Sequence, residues 1–128
     1  LINVQMEGSQ GMELMKKLMA TFRQNPPRSL GGIAVAQIRD YESLTVKPIH
    51  GQAEPLDAPK GNMIIMDLAE PGNYVAVRPS GTEPKVKFYF FGSLSPAQSQ
   101  DLAKANKLLE DRIAGLKIAV QEFAKTIS

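Results

Sequence analysis

The 128 residues contain no cysteine and a single histidine, His50. With no thiols there is no disulfide framework and no thiolate metal site. One histidine without clustered carboxylates is a poor metal or catalytic candidate, so His50 is read as a solvated loop residue. Acidic residues are scattered rather than set at metal-ligand spacing, and no serine has a histidine near it in sequence. The residues therefore offer no catalytic set and no metal site. Charge of one sign is also scarce. The net charge is +2, the basic residues form no block, and aromatics are 6% of the chain. That combination argues against a nucleic-acid partner. No apolar run approaches the roughly 20 residues that span a bilayer, and no signal peptide is visible. A cytoplasmic location without membrane association is expected. Because the chain begins at Leu1 rather than Met, it is expected to be a piece of a longer protein.

What is present is an ordinary globular composition, 43% hydrophobic and 22% charged, in a chain long enough for one domain with a core. After a short lead-in or strand remnant at Leu1–Val4, Leu14, Met15, Leu18, Met19 and Phe22 recur at helical spacing behind Ser9, and Asn25-Pro26-Pro27 ends that helix. Its methionine-rich face is read as core, with a methionine-lined groove as the lesser alternative. Ile33–Tyr41 forms the first main strand. Residues 42–61 carry many loop signals and read as one long connection. Asn62–Leu68 is the second strand, Glu70-Pro71-Gly72-Asn73 a turn, Tyr74–Arg78 the third strand and Lys85–Phe91 the fourth. Alternation places Val86, Phe88 and Phe90 on one face of that last strand, with Lys85, Lys87, Tyr89 and Phe91 on the other.

Ser95-Pro96-Ala97-Gln98 has the chemistry of a capping box. Leu102, Leu109, Ile113, Leu116, Val120, Phe123 and Ile127 then follow in a stripe. The pattern fits one helix to about Lys125 or two pieces bent at Gly115. The short connections between the last three strands argue for an antiparallel meander. The expected fold is α+β, a four-stranded antiparallel sheet with helices packed on one face.

The chemistry concentrates in Arg78-Pro79-Ser80-Gly81-Thr82-Glu83-Pro84-Lys85, between the third and fourth strands. Two prolines restrict the ends of this loop, and Gly81 can take a positive φ that lets neighbouring N–H groups converge. Arg78 offers a planar fork of donors; Ser80 and Thr82 add hydroxyls. Such a set suits a tetrahedral phosphate. A proline- and glycine-bounded turn with solvated charges is the competing reading. Lys87 either leans toward the ligand beside Lys85 or is a solvated surface charge.

The string from Arg78 to Tyr89, RPSGTEPKVKFY, closely resembles the phosphate-binding loop in the last domain of the α-D-phosphohexomutases, the phosphoglucomutase and phosphomannomutase family. The resemblance implies that Arg78, Ser80, Gly81 and Thr82 hold the phosphate that is not being transferred, with Lys85 and Lys87 at the basic positions just after the loop. Glu83 is expected to point away and brace the loop. The family's phosphoserine loop of T-A-S-H-N-P type, its magnesium loop of D-G-D-G-D-R type and its sugar loop of G-E-E-S-G type are all missing here.

Residues 1–128 therefore resemble a single C-terminal phosphate-binding domain of a larger phosphohexomutase, expected to be inactive alone. The resemblance implies a phosphosugar substrate, glucose or mannose phosphate, shuttled between its 1- and 6-phosphates. It implies the N-terminal domains of the same chain as partners, and Mg2+ for the full-length enzyme but no cofactor in this domain. The run Lys85–Phe90 is most similar to the phosphoglucomutase and phosphopentomutase branch. Two other classes of function stay open: a free-standing phosphate- or anion-binding module, and an oligomerisation domain built on the C-terminal helical stripe.

Overall fold

In the computed structural model, residues 2–5, 11–80, 85–94 and 100–125 are described. The elements run β1 (Ile2–Gln5), α1 (Gly11–Gln24), β2 (Ser29–Leu30), β3 (Ile33–Asp40), β4 (Thr45–Pro48), β5 (Glu54–Pro55), β6 (Ile64–Leu68), β7 (Tyr74–Pro79), β8 (Lys85–Phe91) and α2 (Leu102–Lys125). The class is α+β, as expected, but the sheet is larger than four strands. Seven strands lie in the order β1-β8-β7-β6-β3-β4-β5, all neighbours antiparallel, and β2 pairs with β3 alongside.

The four expected strands are the contiguous centre of that order, β8-β7-β6-β3. The additions are edge pieces without strong apolar alternation. The stretch read as a lead-in or strand remnant carries β1, Ile2–Gln5, against β8. The connection at 42–61 carries β4 and β5, whose residues are half-buried or exposed. They are held by backbone ladders, which leave no signature in side-chain pattern.

The core lies on one face of the sheet. Val35, Ile38, Ile64, Met66, Leu68, Val75, Val77, Val86 and Phe88 meet Met15, Leu18, Met19 and Phe22 of α1 and Leu116 and Val120 of α2. The methionine face of α1 is therefore core. Phe22 is the junction: its ring lies 5.7 Å from Phe88 on the sheet and 5.1 Å from Phe123 on α2. A bulge between Val35 and Gln37 shifts the phase of β3, so that Val35, Ile38 and Asp40 are all buried.

α2 passes through Gly115 unbroken, which decides between the one-helix and two-helix readings. Gly31, at φ 58°, approaches the helix at this point: a Cβ on Gly31 would stand 3.3 Å from the Gly115 carbonyl carbon, so the β2–β3 hairpin rests on the helix backbone there. The stripe on α2 is only partly used. Leu116 and Val120 are fully buried, whereas Leu102 is 76% exposed. Asp101 caps the described helix, its Oδ1 accepting from the N–H groups of Ala103 (3.1 Å) and Lys104 (3.3 Å). Ser9, the Ser95–Gln98 capping box and Ile127 lie outside the described residues. Among the described residues no helix is long and apolar enough to cross a membrane.

The turn between β6 and β7 is fixed by Asn73, which is 2% exposed. Its Nδ2 donates to the carbonyls of Glu70, Pro71 and Ser93, and its Oδ1 accepts from the Ser93 N–H at 3.0 Å. Arg112 of α2 completes the knot, donating to Ser93 O at 2.6 Å and pairing with Glu70 at 2.7 Å. This network pins one end of the β6–β7–β8 meander. The loop after β7 leaves from the other end.

Candidate phosphate site

The register of β7 and β8 sets Arg78 directly opposite Lys87, and Pro79 opposite Val86. Val77 and Val86 are buried under the helices, so alternation puts Arg78 and Lys87 together on the face away from them. Arg78 is exposed and Lys87 half-buried. Neither belongs to an ion pair among the described residues, in contrast to Arg23, Arg39 and Arg112. The carboxylate of Asp67, opposite Tyr74 at the other end of β7, is committed elsewhere: Arg39 grips it with two hydrogen bonds of 2.7 and 2.8 Å, and Gln37 adds a third. Burial pushes the Arg39 guanidinium down, but the hydrogen bonds and charge of Asp67 outweigh it and hold the group above its ordinary value. Like charges directly opposite on a sheet are destabilising. Two such cations with no intervening carboxylate form a place suited to an external anion.

Ser80 follows β7, half-buried. With Arg78 and Pro79 it lines a cleft of about 560 Å³, whose other walls are Met15 of α1 and Gly61, Asn62 and Met63 ahead of β6. Lys85 is the first residue of β8, opposite Gln5. Gly81, Thr82 and Glu83 lie outside the described residues. The structure thus brings Arg78, Ser80 and Lys87 to one end of the β7–β8 pair. His50 is exposed, as expected of a solvated loop residue. No group of three His, Cys, Asp or Glu side chains that could hold a metal occurs among the described residues.

The cleft wall at Gly61–Met63 is rigidly tied. The Tyr41 N–H donates to Met63 O at 2.9 Å, and the Gly61 N–H to Tyr41 O at 3.1 Å. Asn62 Oδ1 accepts from Arg23 Nη2 at 2.9 Å. Arg23 is in turn anchored on Asp40, with Nε 3.1 Å from Oδ2. Nε makes no well-aligned hydrogen bond there, so the contact is ionic. Burial pushes the Asp40 carboxyl up, but hydrogen bonds from Glu42 and Ser43 and the charge of Arg23 prevail, and its pKa falls below the ordinary value.

This wall was not singled out in the sequence, although a signal was there. The β6–β7 hairpin pairs Asp67 with Tyr74 and Ile64 with Val77. Continuing that register brings Met63 and Asn62 beside Arg78 and Pro79.

The family model for the phosphoglucomutase/phosphomannomutase C-terminal domain matches residues 1–109. A phosphoglucomutase of Staphylococcus aureus (strain MRSA252) is 38% identical over 85 residues, which make up 66% of this chain and 15% of that protein. A phosphoglucomutase of Staphylococcus saprophyticus is 41% identical over 85 residues, with the same shares of each chain. The chain thus spans about 15% of the length of the curated relatives it matches. No solved structure matches it significantly.

Proposed function

The chain belongs to the phosphoglucomutase/phosphomannomutase C-terminal domain family, and on that premise we propose that it grips the phosphate of a phosphosugar that is not being transferred. The observation that carries this is the cross-strand pairing of Arg78 and Lys87 without a carboxylate partner among the described residues, beside a cleft that Ser80 also lines. Arg78 supplies a fork matched to two phosphate oxygens, Ser80 a hydroxyl and Lys87 a point charge. Gly81 and Thr82 complete the loop by resemblance, and Lys85 follows it at the start of β8.

The reaction served is reversible movement of a phosphoryl group between positions 1 and 6 of a hexose. A phosphoserine elsewhere in the full-length enzyme donates a phosphoryl group to the sugar. The bisphosphorylated sugar turns over, and the phosphoryl group at its other end passes back to the serine, leaving the new monophosphate. A site that grips phosphate without reacting must accept either end in turn, and a loop selective for phosphate rather than for sugar does so. Binding energy from this remote group positions the reacting end, and closure of the domain over the substrate excludes water. The magnesium that the family implies for the full-length enzyme has no candidate ligand group among the described residues, and no step here runs through it. These 128 residues bind substrate but do not convert it.

Calorimetric titration of the chain with inorganic phosphate, glucose 1-phosphate and glucose 6-phosphate tests this. The expected outcome is mutually competitive binding of all three at one site, with no interconversion of the sugar phosphates. Failure of all three to bind, or independent binding at different sites, overturns it.

A further inference from the structure

A phosphate grip accounts for only one wall of the cleft. The rest of the lining, Met15, Gly61, Asn62 and Met63, carries no charge, and the volume of about 560 Å³ falls within the range of about 300–1,000 Å³ usual for whole small-molecule ligands. Two facts give the neutral wall a definite chemistry. First, arginine has donors and no acceptor, so the 2.9 Å contact from Arg23 Nη2 requires the oxygen of the Asn62 amide to face Arg23. The amide orientation is thereby set, and both Nδ2 hydrogens are left with no partner among the described residues. Second, Arg23 cannot swing away freely, because Asp40, 3% exposed, holds it from below.

We infer that Asn62, oriented by Arg23, is a specificity residue that donates to the hydroxyl oxygens of the sugar whose phosphate lies against Arg78, Ser80 and Lys87. The inference rests on the phosphate reading above and adds the sugar side of the same site. Met63, half-buried at the cleft, suits the companion role. Its thioether chain adapts to irregular apolar surface, and a hexose that binds in two opposite orientations presents different C–H faces to the same wall. One fixed amide beside one adaptable side chain gives affinity for a sugar ring without committing to one end of it. Arg23 acts through Asn62 and is a positioning residue.

The test compares methyl phosphate, a monoester with no sugar, with glucose 6-phosphate by calorimetry on the whole chain. Wild type binds both, glucose 6-phosphate the more tightly. Asn62→Ala, at an exposed position, keeps the fold and reduces that preference about three- to tenfold, the effect of losing a hydrogen bond. Arg23→Lys keeps a cation beside Asp40 but loses the fork to Asn62, and the preference falls in the same way while methyl phosphate affinity holds. If wild type binds methyl phosphate and glucose 6-phosphate equally, or Asn62→Ala keeps the full preference, the sugar wall is refuted and the phosphate grip stands. If wild type binds neither, the phosphate grip fails and the sugar wall with it.

Discussion

Arg78 on β7 and Lys87 on β8 are direct cross-strand partners, two cations side by side with no ion-pair partner among the described residues. Such a pair costs the fold about 0.2–1 kcal/mol. Arg78→Ala is therefore expected to leave the midpoint of urea unfolding unchanged or slightly raised. It should also weaken phosphate binding about ten- to hundredfold, the value of one or two charge-assisted hydrogen bonds of roughly 1.5–3 kcal/mol. Unfolding and calorimetry on the same variant separate the two effects. A variant that loses stability as well as binding would show Arg78 to be structural.

Asn73 makes the opposite prediction. It is buried at the far end of β7 and satisfies three carbonyls and one N–H. Asn73→Ala leaves several of these without partners, at about 1–3 kcal/mol for each buried group left unpaired. Chemical denaturation should show a loss of at least 2 kcal/mol, roughly the cost of one such group. Phosphate affinity of the folded fraction should be unaltered, because the network touches no residue of the cleft.

Asp40 gives the fold a pH-dependent contribution to stability. Its pKa is lowered in the folded state, so its contribution to stability is complete above its unfolded value of about 4. It is lost as pH falls through the lower folded value. Asp40→Asn is expected to be less stable than wild type at neutral pH, near the low end of the roughly 3–5 kcal/mol for breaking a buried pair, because Arg23 remains 18% exposed. The difference should shrink as pH drops below 4. Unfolding curves of both proteins between pH 2 and pH 7 measure this; a constant gap across that range would contradict it.

Gly31 and Gly32 both have positive φ, 58° and 81°. Alanine costs about 1–2 kcal/mol in that conformation. Only at Gly31 does the new methyl also meet α2, whereas at Gly32 nothing lies within 4 Å. Gly31→Ala should therefore lower the thermal midpoint more than Gly32→Ala. Equal shifts would mean that the hairpin does not rest on Gly115.

Much of this architecture was legible in the residues because it rests on apolar periodicity. Met15, Leu18, Met19 and Phe22 repeat on one side of α1, and Val86 and Phe88 alternate on β8; all are buried. What escaped was held by other forces. β4 and β5 are backbone ladders on half-exposed chain, and Asn73, Arg112 and Arg23 make polar ties across 19 to 39 residues of sequence. Leu102 fitted the stripe on α2 but is exposed, since a helical period says which side a residue takes and not whether anything covers it. At the candidate site, the cation pair followed from strand alternation and a two-strand hairpin. The Asn62 wall needed the register of a second hairpin, which only the turn at 70–73 could have supplied.

The most direct measurement is an amide NMR titration of the chain with inorganic phosphate, glucose 1-phosphate and glucose 6-phosphate. All three should move the amides of Arg78, Ser80 and Lys87, the sugar phosphates alone should add shifts at Asn62 and Met63, and Arg78→Ala should abolish the common set. If saturating ligand leaves the amides of Arg78, Ser80 and Lys87 in place while others move, the phosphate is held elsewhere and the pairing of Arg78 with Lys87 has no part in it.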